Sequence, residues 1–164
     1  MSDAALFQLG MGLDAPTTAQ KEDLKKSTPE CGRAPCPDDA APDFFIEKDG
    51  TRCAGSHFII DLYGAKRLDD LEHVERTLLE CVDAAGATLL HVHLHPFEPN
   101  GGISGVAVLA ESHISIHSWP ERDYAALDIF MCGRTKPERC LDVLETAFAA
   151  KKMTVREILR GKEA

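Results

Sequence analysis

Residues 102–133 read GISGVAVLAESHISIHSWPERDYAALDIFMCG, and this run decides the fold. Residues 103–110, 114–119 and 125–132 are three β-rich segments, the first two meeting around Glu111-Ser112-His113 and the third closed by Gly133. Working upstream, residues 88–95 read as another strand, followed by the turn PFEPNGG, and residues 56–62 (SHFIIDL) as a strand closed by Gly64. Between those two the period changes: Leu71, Val74, Leu78, Val82 and Ala85 fall three or four apart, predicting a helix over 69–85. Asp69 followed by Glu72 is a capping-box start, and Gly86 a stop. Downstream, a second helix starts near Pro137 and buries Leu141, Leu144, Ala147 and Phe148. Residues 152–159 form a last strand or a short helix. The order β-α-β-β-β-β-α-β lacks strict βαβ alternation. It predicts an α+β fold, a two-layer sandwich of mainly antiparallel sheet with helices on one face.

The whole chain is 164 residues long, 44% hydrophobic and 27% charged, which suits one soluble domain with a tail. The tail is residues 1–43, rich in proline and carrying the charge run KEDLKK. It reads as a flexible N-terminal arm with one short helix, ahead of a domain over 44–164. No apolar stretch approaches the ~20 residues of a membrane span. Asp3 stands where a signal peptide carries positive charge, so a cytoplasmic protein is expected. Net charge is −9, from 27 acidic and 18 basic residues, and no Lys/Arg cluster exceeds a pair. That disfavours nucleic acid and favours encounter with cationic small molecules or basic proteins.

Six cysteines, at 31, 36, 53, 81, 132 and 140, include no C-x-x-C, and without a secretion signal reduced thiols are expected. A zinc knuckle at Cys31 and Cys36 is disfavoured by the proline-rich tract that holds them. His91, His93 and His95 share one face of a strand at about 7 Å spacing and could offer imidazoles to a metal. No carboxylate cluster nearby completes such a shell, and no metal site is assigned. Ser112 or Cys132 as an acyl-transfer nucleophile lacks any G-x-S-x-G elbow or protease signature. A third pattern is the density of Ser104, Glu111, Ser112, His113, His117, Glu121 and Cys132 within otherwise apolar strands. Burial of such groups is costly without a reason, and the bland reading is an edge strand with a wet face.

ESHISIHSWPE (111–121) followed by YAALDIFMCG (124–133) strongly resembles the short bacterial and archaeal S-adenosylmethionine decarboxylase proenzymes. The resemblance runs from Gly55 to Gly161 and includes GSHFIIDLYG, the H-x-F-x-P at His95–Pro99, and I-S-G at 103–105. It implies self-cleavage between Glu111 and Ser112 into a β chain of residues 1–111 and an α chain of residues 112–164. Ser112 Oγ would attack the Glu111 carbonyl, a base would remove the Ser112 α-proton, and elimination followed by hydrolysis would leave a pyruvoyl group at residue 112. The resemblance implies His117 as the processing base and Ser104 as the hydroxyl assisting it; imidazole titrates near neutrality and suits proton abstraction. It further implies a Schiff base between the pyruvoyl group and S-adenosylmethionine, with Cys132 as proton donor. Phe97 and Trp119 would bracket the adenine, and Glu121 would take the ribose hydroxyls. The turn after Phe97 is one residue longer than the family pattern, and His113 is read as pocket lining. A homodimer of processed αβ protomers with sites near the interface is implied, serving spermidine biosynthesis. Two other readings stand beside it: the same machinery acting on arginine or ornithine, and a non-catalytic regulatory homologue. Trp119 and Glu121 favour the nucleoside, and an intact Ser112, His117 and Cys132 set favours catalysis.

Overall fold

The computed structural model describes residues 44–162; the flexible arm and short helix expected over 1–43, and the disfavoured zinc knuckle at Cys31 and Cys36, lie outside the described residues. The described chain opens with a hairpin absent from the expected order, β1 (Ile46–Lys48) and β2 (Thr51–Cys53). Its loop is Asp49-Gly50, both at positive φ (52° and 70°), the turn type that matches strand twist. Then come β3 (Gly55–Tyr63), α1 (Leu71–Ala85), β4 (Leu89–Pro96), β5 (Ile103–Leu109), β6 (Ser112–Trp119), β7 (Tyr124–Met131), α2 (Cys140–Ala147) and β8 (Lys152–Arg160). From β3 onward this is the order the hydrophobic periods predict, with residues 152–160 settled as a strand.

The six long strands form one antiparallel sheet in the order β4-β5-β6-β7-β3-β8. Alternation gives each strand one core face. Phe58, Ile60 and Leu62 of β3, Ala107 and Leu109 of β5, Ile114 and Ile116 of β6, and Leu127 and Ile129 of β7 are buried together with the apolar stripes of the helices. α1 contributes Val74, Leu78, Cys81 and Val82, and α2 contributes Leu144 with Phe148 just after it. Each Val, Leu, Ile or Phe among them is worth about 1.5–3 kcal/mol on leaving water. Leu71, at the first turn of α1, is 38% exposed although it shares the stripe's period. The helix cap also lies one residue later than expected. Asp70, not Asp69, accepts from the His73 N–H at 3.0 Å, with Arg67 on its other oxygen.

Both helices lie on the same side of the sheet. The opposite face carries His57, Ile59, Asp61 and Tyr63 of β3, Ser104 and Val108 of β5, His113, His117 and Trp119 of β6, and Tyr124, Asp128 and Phe130 of β7. Ile59, Tyr63, Val108 and Trp119 are 37–42% exposed there. Among the described residues no helix is long and apolar enough to cross a membrane.

Candidate active site

β5 and β6 are joined by only two residues, Ala110 and Glu111, with Leu109 paired to Ser112. Two-residue hairpins that follow strand twist need positive φ in the loop, which Asn and Gly supply and Ala and Glu resist. Neither loop residue has positive φ. The misfit falls instead on Ser112, whose φ is 138°, a region costing a non-glycine residue about 1–3 kcal/mol. Thr88, at the mouth of β4, clamps the turn. Its carbonyl accepts from Ala110 N–H at 2.9 Å, its own N–H donates to Glu111 Oε2 at 2.9 Å, and its hydroxyl donates to Oε1 at 3.2 Å.

That φ has a chemical consequence. Cβ lies roughly 120° from the carbonyl carbon about N–Cα, so φ of 138° leaves Ser112 Cβ and the Glu111 carbonyl carbon within about 20° of eclipsed. In an ordinary strand they stand about 100–120° apart. Only the eclipsed arrangement lets Oγ close a five-membered ring onto the Glu111 carbon. The Glu111 carbonyl oxygen, meanwhile, accepts the backbone N–H of Cys132 at 3.1 Å, a donor aimed where negative charge would develop on attack. Cys132 follows Met131, the register partner of Ser112, and is itself anchored by Thr135 Oγ1 on its carbonyl at 2.8 Å. Ser112 Oγ lies 3.2 Å from His113 Nδ1.

A second group of expected residues sits at the far end of the same strand. Ser104 and His117 are register partners, with Ser104 Oγ 2.7 Å from His117 Nδ1. They line a cleft of about 510 Å³ with Phe97, Pro99, Asn100 and Trp119. Trp119 leans on His117 (6.3 Å between ring centroids) and on Tyr124 (5.3 Å), and Phe97 takes the edge of His95 at 4.8 Å. Glu121 lies just beyond, exposed on the 3₁₀ turn Pro120–Arg122, and does not line the cleft. Five residue steps along β6 carry the chain from Ser112 to His117, roughly 17 Å at strand rise. One copy of the chain therefore brings Ser112 to Cys132 and His117 to Ser104, Phe97 and Trp119, but does not bring the two groups together. A larger concavity of about 600 Å³, bounded by Phe44, Phe45, Glu47 and Arg134, touches Glu111 from outside the turn and includes neither Ser112 nor Cys132.

The three strand histidines follow β4, the edge strand, with His95 opposite Ser104 and His93 opposite Val106. Among the described residues no group of three His, Cys, Asp or Glu side chains is placed to hold a metal ion. Sequence reasoning passed over the Thr88 clamp and a polar array on the open face. There Tyr124 donates to Asp61 Oδ1 at 2.6 Å, and Thr154 to Oδ2 at 3.1 Å. The Asp61 carboxylate, with lesser help from burial, pushes the Tyr124 phenol up to about 12. No local signal marks these residues, because their partners come from β3, β7 and β8.

Comparison with known proteins bears on this geometry. A family profile described as S-adenosylmethionine decarboxylase matches residues 56–161. The chain is 44% identical over 108 residues to the S-adenosylmethionine decarboxylase proenzyme of Thermomicrobium roseum, covering 65% of this chain and 93% of that protein. It is 47% identical over 110 residues to the proenzyme of Methanococcus maripaludis, covering 65% and 89%. The crystal structure of the adenosylmethionine decarboxylase from Aquifex aeolicus superimposes with a TM-score of 0.59 at 34% identity, covering 66% of this chain and 92% of that one.

Proposed function

The chain belongs to the S-adenosylmethionine decarboxylase family, and from that premise we propose that it cuts itself between Glu111 and Ser112 into chains of residues 1–111 and 112–164. It is a proenzyme whose activity is decarboxylation of S-adenosylmethionine, in the service of spermidine biosynthesis. The observation that carries the cleavage reading is the eclipsed Ser112, with the Glu111 carbonyl held on the Cys132 N–H. Together they turn the carbon that bears the hydroxyl toward the Glu111 carbonyl carbon that Oγ must attack, with a donor waiting for the oxyanion.

The group that processing would leave at residue 112 is a pyruvoyl, which would supply a carbonyl for the substrate amine and an electron sink for decarboxylation. The donor set around Ser112 fits it. Cys132, which follows Met131, the register partner of Ser112, would serve as the proton donor to the substrate α-carbon. At the other end of β6, His117 with Nδ1–H donated to Ser104 Oγ keeps the lone pair of Nε2 as the base for the Ser112 α-proton. Phe97 and Trp119 offer faces for an adenine and a sulfonium, and Glu121 a carboxylate for ribose hydroxyls.

These roles require the two ends of β6 to meet, and the reading assigns that to a homodimer. Packing the open sheet faces of two copies about a two-fold axis, with their β6 strands running in opposite senses, sets Ser112 and Cys132 of each against the Ser104–His117 pair of the other. The apolar side chains left exposed on that face, Ile59, Tyr63, Val108 and Trp119, support it. The activity test is CO₂ release from carboxyl-labelled S-adenosylmethionine, arginine and ornithine in parallel. Release from S-adenosylmethionine is expected; release only from an amino acid would refute the assigned substrate.

A further inference from the structure

Adjacent residues of a strand point to opposite faces, yet Ser112 Oγ lies 3.2 Å from His113 Nδ1. The serine hydroxyl donates and the ring nitrogen accepts, which puts the imidazole proton on Nε2. The ring is held in place from other strands. Phe130 of β7 meets it edge-on at 6.2 Å between centroids, and His57 of β3 at 6.5 Å. His57 is fixed at both nitrogens. Arg160 can only donate, so Nδ1 accepts from it at 3.2 Å, and Nε2–H donates to Asp128 Oδ1 at 3.2 Å. The Arg160 guanidinium also lies over the Phe130 ring at 5.8 Å. Three strands thus converge to orient one imidazole on the hydroxyl whose carbon is eclipsed with the Glu111 carbonyl carbon.

The geometry points to His113 as the base that starts self-cleavage by taking the Ser112 Oγ proton, an inference that rests on the reading of Glu111–Ser112 as the bond cut. Nδ1 removes the proton as the bond from Oγ to the Glu111 carbon forms, and the carbonyl π pair moves onto oxygen, toward the Cys132 N–H. On collapse the carbon–nitrogen bond breaks with its electron pair remaining on the Ser112 nitrogen. That nitrogen takes the proton back from the His113 imidazolium. The product is an ester isomer of the same chain; nothing is oxidised or consumed. Two imidazoles then divide the work, His113 making the ester and His117 removing the α-proton from it.

The test follows cleavage over time by intact mass in full-length precursor made by cell-free synthesis, for the parental chain, His113→Ala, His113→Gln and His117→Ala. Each is run with and without hydroxylamine, which cuts esters, and with and without added imidazole. Both His113 variants should cleave at least about 10²-fold more slowly and yield no hydroxylamine-labile ester, with imidazole speeding His113→Ala. His117→Ala should accumulate the labile ester. Parental-rate cleavage in either His113 variant overturns the assignment. So does accumulation of ester in one of them, which would place His113 after the acyl shift. Slow cleavage that imidazole leaves unchanged overturns it too, reducing His113 to packing. A parental chain that never cleaves fails the cleavage reading itself, separately from His113.

Discussion

The backbone N–H of Cys132 donates to the carbonyl oxygen of Glu111 across 3.1 Å, joining the end of β7 to the turn before β6. On the proposed reading Cys132 would touch the reaction twice, once through its main chain at the bond to be cut and once through its thiol. The two contributions would belong to different steps and should separate on mutation.

Cys132→Ala keeps the N–H and removes only the thiol. Cleavage should proceed near the parental rate, while CO₂ release per processed chain falls by about 10²-fold or more, the usual loss for a proton donor. Steady-state assay on fragments quantified by mass checks this. Full activity would take the thiol out of the mechanism.

A site shared between two copies, as proposed, predicts complementation between two dead chains. Ser112→Ala cannot cleave because it has no hydroxyl, and His117→Ala should stall alone. Co-expressed, the His117→Ala chain meets an intact His117 on its Ser112→Ala partner and should be cut. Fragments of the His117→Ala chain in the mixed sample, absent when it is made alone, are the expected result. Their absence from mixed dimers would place the whole processing site within one copy.

Much of this was legible in residue order. Val74, Leu78, Val82 and Ala85 marked the buried stripe of α1, and strand alternation in 103–131 marked three neighbours of one antiparallel sheet. The β1–β2 hairpin escaped although Asp49-Gly50 is a strong hairpin signal, because its flanking strands are only three residues each. Asp69 and Asp70 both suit an N-cap, and only the docking of His73 onto the Ala147 carbonyl at 2.9 Å, with its N–H on Asp70, separates them. The strain at Ser112 was not legible, since the sequence placed the connection at Glu111-Ser112-His113, whereas strand pairing continues through Ser112 and leaves only Ala110 and Glu111 for the turn. The distance between Ser112 and His117 follows from strand rise alone. What would bring them together does not, because on the proposed reading it depends on a second copy.

Tyr124 should show its partner in a titration. Its pKa of about 12, above the ordinary 10.0, is set mainly by the Asp61 carboxylate and secondarily by burial. A raised folded value means that this contact stabilises fully below about pH 10 and is lost as pH rises through about 12. In a Tyr63→Phe background, phenolate absorbance should titrate near 12, and adding Asp61→Asn should bring it back toward 10. An unchanged midpoint would contradict the assigned cause.

At the acid end, Asp70 is held below its ordinary 3.8 chiefly by the Arg67 hydrogen bond and then by the His73 N–H, against a smaller effect of burial. A depressed folded value stabilises above the unfolded pKa and is lost as pH falls through the folded one. Asp70→Asn keeps an acceptor for the cap but loses the charge. Its Tm should lie below the parental value at pH 7, with the gap closing below about pH 4. A gap independent of pH would assign the loss to packing.

The central claim is that the chain cuts itself at Ser112, and the denatured intact mass of purified protein tests it most directly. Two chains are predicted, residues 1–111 and a smaller one of residues 112–164 whose first residue is pyruvoyl and has no free amine. A single uncut chain of 17.9 kDa, stable on prolonged incubation, would contradict the account.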